Sequence, residues 1–406
     1  MHRAEFLRAM LLGGGRLALG REPAPERPTE PRPLFPQLVP QPTGRNGYEE
    51  FLRAADLIRG FRALEEVRER PTLTRKRAVM GDPRAARALD RIRRGLAKPV
   101  QSVRTESEAA TALFPEFAPF RRLGFLLALE QEILFADGRV RDALTSLRDG
   151  IRFSRAIRVD GALSYLVGAA VQAIVLAVIG RRLDQLAAGD CEALFRLGSE
   201  FARAPDPLVN VFADEGRVAE AMLGELFRQR SPAEFAEAIR GLDSDPPPPG
   251  LDRLTPAALE AELRRTRELL RGRFAQLVEE ARRPHWERRP PAPALGDGIA
   301  EWLVNALSPI SEALFSRAAT ERAQYGLLAC HGAIRRYRWE YDRWPPGLEV
   351  LRLGDLARDP FTGEPLHYAV AGDRYVLRSV GPPAPDDPRA IDGRRPVTIE
   401  PLSRPP

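Results

Sequence analysis

The sequence predicts a mainly α protein: a helical bundle or αα-hairpin body carrying a small C-terminal α+β domain. Three observations lead there. Apolar residues recur at three- and four-residue steps from Tyr48 to about Glu312. A further stripe, of about thirty residues, runs to Tyr341 and gives way to period-two alternation. The 38 prolines fall in clusters between the stripes, so they divide the chain without breaking its helices. The expected divisions are an N-terminal segment and tether over 1–46, a helical domain over 47–310, an α+β domain over 311–390 and a tail over 391–406.

In the first segment, Arg3 to Arg8 resembles a twin-arginine export signal with Ala4 where the second arginine belongs. The apolar stretch behind it is short and carries Arg16, whereas a secretory signal needs an uninterrupted apolar region. Cytoplasm and cell envelope both stay open as the location. The eight prolines from Pro23 to Pro42 exclude a helix interior or central strand and predict an extended tether.

In the helical domain, Phe51, Ala55, Ile58 and Phe61 share one face, and so do Leu123, Leu126, Leu127, Ile133 and Leu134. Gly138 interrupts the second stripe, and Ala143, Leu147 and Ile151 resume it, which predicts a helical hairpin. Residues 161–180 hold no charge and are long enough to cross a bilayer. Arg158 and Arg181–Arg182 flank both ends, so charge assigns no orientation. Ser164, Tyr165 and Gln172 lower the apolarity of this stretch, and the amphipathic helices around it need a centre to pack on. A buried core helix is the expectation and membrane association, here or through the N-terminus, the alternative. Breaks are expected at Asp245–Gly250 and Pro290–Pro293.

Composition removes several function classes. Two cysteines far apart exclude a disulfide scaffold and a zinc finger, and four scattered histidines offer no histidine metal centre. Neither a phosphate-binding Gly-x-x-x-x-Gly-Lys loop nor a Gly-x-Ser-x-Gly elbow occurs. Cys330 and His331 are neighbours on one helix, about 100° apart, and make a poor nucleophile–base pair. The balance of 62 basic against 56 acidic residues leaves +6, with arginine at every basic position except Lys76 and Lys98.

Two stretches carry candidate chemistry. Glu130 shares the apolar face of Leu126 and Ile133, where a desolvated carboxylate could act as a general acid; an ion pair with an arginine is the plainer expectation. Asp214, Glu215, Glu220 and Glu225 are spaced as a solvated helix face. Residues 70–104 bring together Arg70, Arg75, Lys76, Arg77, Arg84, Arg87, Arg91, Arg93, Arg94, Lys98 and Arg104 against only Asp82 and Asp90. Such a run could track phosphates of nucleic acid or an anionic membrane. It lacks interleaved aromatics for base stacking, so a solvated basic face is expected and nucleic acid is not.

The C-terminal stripe is Phe315, Ala319, Ala323, Leu327, Cys330, Ile334, Tyr337 and Tyr341, and Trp344-Pro345-Pro346 stops it. Asp359-Pro360-Phe361-Thr362-Gly363 is turn chemistry. Leu366, Tyr368 and Val370 alternate as a strand, Ala371-Gly372-Asp373 turns the chain, and Tyr375 to Val380 returns it; Val397 to Ile399 would add a third strand. The aromatics Tyr337, Tyr341, Trp344, Tyr368 and Tyr375 are expected in its core.

Tyr337-x3-Tyr341-x2-Trp344-Pro345, Asp359-Pro360-Phe361 and Tyr375-Val376-Leu377-x-Ser379-Val380-Gly381 together resemble the globular part of type II secretion major pseudopilins. They also resemble the tail of large, uncharacterised helical proteins of planctomycete-like bacteria. The resemblance spans about residues 313–388. It implies a non-catalytic structural or interaction protein, envelope- or secretion-associated, with a protein partner. No Phe-Thr-x-x-Glu start precedes the module, so processing as a pilin is not expected. Pseudopilin tails can bind calcium, and Asp386 and Asp387 stand near that place. Pro382-Pro383-Ala384-Pro385 replaces the usual acidic run there, leaving too few oxygens for calcium's six to eight. No cofactor is therefore expected, with calcium the alternative.

Overall fold

A computed structural model describes residues 33–399 apart from 106–107, 110–113, 228–230, 241–249, 252–253, 293, 295, 297, 309–310, 385 and 388–389. The Arg3–Arg8 motif, Pro23 to Pro31, the Asp245–Pro249 break, Pro293 and Pro385 lie outside the described residues.

The chain is mainly helical and ends in one small antiparallel sheet. In order come α1 (Leu34–Leu38), α2 (Gly47–Leu57), α3 (Arg62–Glu69), α4 (Leu73–Gly81) and α5 (Pro83–Leu96). Next are α6 (Phe117–Ala136), α7 (Val140–Ala156), α8 (Ala162–Gly180) and α9 (Ala188–Arg203). Then follow α10 (Leu208–Phe227), α11 (Pro232–Arg240), α12 (Pro256–Arg282), α13 (Ile299–Leu307) and the long α14 (Ser311–Tyr341). β1 (His367–Ala371) and β2 (Arg374–Arg378) close a hairpin in which Tyr368 faces Leu377 and Val370 faces Tyr375.

Local chemistry sets the boundaries. Asn46 caps α2 by accepting from the Tyr48 amide at 3.0 Å. Asp82 and Thr255 cap α5 and α12, each followed by a proline whose missing N–H costs nothing there. Gly138, at φ +73°, turns α6 into α7 as the hairpin reading expects.

Two cores meet along α14. The first gathers α1 to α9 with the C-terminal half of α14 and the hairpin residues Tyr375 and Leu377. The second gathers α10 to α13 with Ala162 and Tyr165 of α8 and with Leu314, Phe315 and Ala318 from the N-terminal half of α14. The most extensive helix pair is α9 on α14. Small residues permit the approach: a Cβ on Gly198 would stand 2.4 Å from the Ala329 nitrogen, and one on Gly332 would stand 2.6 Å from the Cys191 carbonyl.

Three expectations are corrected. The proline-rich tether is not extended throughout. Leu34–Leu38 forms a helical turn docked on α2, because Asp56 accepts the free amides of Leu34 and Phe35 at 2.8 and 2.9 Å. Val397 to Ile399 adds no third strand; only an isolated bridge joins Ser379 and Val397. Tyr341 is 57% exposed rather than in the core, and its ring packs only on the half-buried Tyr337, one turn back on α14, among the aromatic contacts of the described residues.

Candidate functional site

The basic run of 70–104 is mostly neutralised by the protein's own carboxylates. Arg91 and Lys98 both reach Glu50 at 2.8 Å, Arg94 reaches Asp90 at 2.8 Å, and Arg84 reaches Asp82 at 2.8 Å. Lys76 pairs with Glu132 of α6, and Arg77 with Asp137 just beyond its end. Arg93 holds both oxygens of Glu130 at 2.8 and 2.7 Å and Asp149 at 3.0 Å. Glu130 also accepts from the Ser146 hydroxyl at 2.6 Å, so it is a strut between α5, α6 and α7. Its expected arginine partner is present, and it comes from the basic run.

The remaining sequence candidates are dispersed. Asp386 is exposed, and Asp387 lies 3.5 Å from Arg395. Among the described residues no three His, Cys, Asp or Glu side chains gather as a metal site. Glu215 departs from the solvated face expected of it. It is buried, and it accepts the free Ala162 amide at the start of α8 at 2.7 Å. Cys330 donates to the Leu356 carbonyl at 3.5 Å, and burial raises its pKa to about 12. The uncharged stretch becomes α8, apolar and long enough to span a membrane, with 72% of its apolar window buried against neighbours. Placing it in a bilayer would require separating it from α6 and α7, on which it packs.

Sequence reasoning missed two buried polar networks. In one, the Tyr48 hydroxyl donates to Glu116 at 2.9 Å while Arg104 grips the same carboxylate at 2.6 and 2.9 Å. Arg104 thus leaves the basic face altogether. In the other, Arg158 at the end of α7 pairs with Glu321 of α14 at 2.7 Å and donates to Gln172 of α8 at 3.1 Å. Tyr325 donates to the same Gln172 oxygen at 2.5 Å. Burial of a charge is tolerable only with such partners, and here they tie three helices that are far apart in sequence.

Above the second network opens a cleft of about 440 Å³, where the two cores adjoin. Its walls are the α9–α10 connection, the end of α12 with the turn His285–Glu287, the middle of α14, and the turn Gly354–Ala357. Its charged lining includes Arg155, Asp206, His285, Arg288, Glu321 and Arg322, and its apolar lining includes Pro205, Val209 and Trp286. Arg288 is buried and donates to Asp206 at 2.7 Å and to the Ala281 carbonyl at 2.8 Å; its other terminal nitrogen has no partner. His285 Nε2 lies 3.4 Å from Asp206. Burial, helped by the Arg288 charge, pushes His285 down to about 3, so its ring is neutral at pH 7. Asp355 is engaged by Arg358 at 3.4 Å. Arg322, half-buried on α14, makes no hydrogen bond or ion pair among the described residues, and burial lowers its pKa. The only sequence signals were Pro205-Asp206-Pro207 and Arg282-Arg283-Pro284-His285-Trp286, two short segments 75 residues or more apart that nothing local connects.

The fold and the site define a mainly helical protein with a small C-terminal two-stranded sheet and an arginine-lined cleft between its cores. No protein-family model matches the chain, no curated protein is similar to it, and no solved structure matches it.

Proposed function

We propose that this chain is a non-catalytic interaction protein, envelope- or secretion-associated, whose C-terminal unit is kin to the globular part of type II secretion pseudopilins. The observation that carries the reading is the clamp of α14 on the hairpin. His331 Nδ1 meets the Tyr375 hydroxyl at 2.6 Å and Arg335 Nε donates to it at 3.1 Å. Trp344 packs against Tyr375 with the rings tilted and their centroids 4.8 Å apart, and its indole N–H donates to the Asp373 carbonyl in the hairpin turn. Asp359 of the Asp-Pro-Phe turn is buried and accepts from the Ser379 hydroxyl and the Val380 amide at 3.0 and 2.7 Å, locking the turn to the returning strand.

This rigid unit presents large apolar groups to water. Trp339 is 61% and Tyr341 57% exposed on the last turns of α14, and Val370 and Val376 are each 46% exposed on the hairpin. Aromatic groups on a stiff support are what protein interfaces select. A photo-crosslinking residue placed at Trp339 or Tyr341 in the native cell is expected to give a discrete adduct with an envelope protein. The same residue at Arg87, on α5, serves as the control. Adducts no different from the control, or only with cytoplasmic proteins, would remove the reading.

A further inference from the structure

We propose that the cleft between α9, α12 and α14 binds a small organic anion, with its phosphate or carboxylate group on Arg322 and its apolar body against Trp286, Pro205 and Val209. Three observations converge. First, Arg322 carries five N–H donors into the cleft and spends none of them on the described residues. The carboxylates within its electrostatic reach, Asp206 and Asp355, are already engaged by Arg288 with His285 and by Arg358. Secondly, the floor repeats the pattern. The buried Arg288, which lines the cleft, keeps one terminal nitrogen without a partner among the described residues, while Arg155 beside it donates to the Pro205 carbonyl at 3.0 Å and to Tyr325. Guanidinium groups are weakly hydrated forks matched to carboxylate and phosphate. Thirdly, the cleft has the volume of a small-molecule site and lies where two cores adjoin, the usual place for one.

A structural arginine would be expected to show the partners that Arg158 and Arg104 show. An unpaired, half-buried cation is instead a cost that a ligand offsets. Helix α14 sets the position: Arg322 follows the paired Glu321 by one residue, about 100° round the helix, and both line the cleft.

The test uses the full chain, titrated calorimetrically at constant ionic strength with phenyl phosphate and with benzoate. Inorganic phosphate and acetate serve as their truncated forms. Saturable binding of phenyl phosphate or benzoate is expected, stronger than that of the truncated form, and which of the two binds decides between phosphate and carboxylate. Arg322→Gln should weaken binding by at least about tenfold, the scale of one lost charge-assisted contact. Trp286→Ala should reduce the advantage of the aromatic ligand over its truncated form. Arg94→Gln, on the distant α5, should bind as the unsubstituted protein does. In ligand-free buffer Arg322→Gln should melt at a higher temperature than the unsubstituted chain. The proposal is overturned if neither aromatic ligand gives saturable binding, or if Arg322→Gln binds equally well. It is equally overturned if Arg322→Gln melts lower or fails to fold, which would make Arg322 a structural residue.

Discussion

Residues 70–104 and the α9–α12–α14 cleft are both rich in arginine, and they use it in opposite ways. The first is dense in sequence and largely neutralised: most of its cations are met by Glu50, Asp82, Asp90, Glu116, Glu130, Glu132 and Asp137, several of them from other helices. The cleft draws its arginines from four separate segments, and one of them, Arg322, makes no hydrogen bond or ion pair among the described residues. Charge density along a chain therefore says little about where a charge is free to act. The deciding quantity is the number of carboxylates that folding brings within reach.

Four substitutions would sharpen or break this contrast. The largest effect belongs to the buried pair beneath the cleft. Arg158→Met leaves Glu321 buried without its cation and should cost about 3–5 kcal/mol in denaturant unfolding. A loss below about 1 kcal/mol would show that the pair is better solvated than its burial implies. Next comes the cleft histidine. His285 is held near 3 when folded, against an ordinary value of 6.5. The folded state therefore binds fewer protons than the unfolded one below pH 6.5. Its contribution is complete above that pH and declines as the pH falls toward the folded value. Between pH 7.5 and 5.5 the decline should be about 1.4 kcal/mol, and His285→Gln should flatten it by that amount. An unchanged pH slope in the variant would contradict the neutral ring. The smallest effects belong to the basic run. Glu130→Gln removes a partly exposed bidentate pair and should cost about 1 kcal/mol, while Arg94→Gln should stay within about 0.5 kcal/mol. A stabilised Glu130→Gln would reopen the reading of Glu130 as a strained functional acid.

Much of the architecture was legible because it is written in local periodicity. The hairpin at Gly138, the helix over Ala162–Gly180, the long α14 and its stop before Trp344, and the turn between β1 and β2 all follow from spacing and turn chemistry. The misreadings occur where a distant group intervenes. Leu34–Leu38 folds because Asp56, on another helix, accepts its first amides. Glu215 is buried because the start of α8 needs an acceptor. Tyr341 is left largely in water while Trp344, three residues on, takes the place against the hairpin's Tyr375. The cleft was invisible for the same reason, since Asp206, His285 and Arg322 come to line one cleft only through the folding of the chain between them.

The amino-acid sequence by itself determined the helical class, the order of the elements and the closing hairpin, because each depends on residues within a few positions of one another. Tertiary structure alone decided which charges are spent and which stay available. Ion pairing depends on distances of a few ångströms between groups that the sequence leaves tens or hundreds of residues apart. Arg158 and Glu321 are such a pair, and Arg322 beside them is the cation the same fold leaves over.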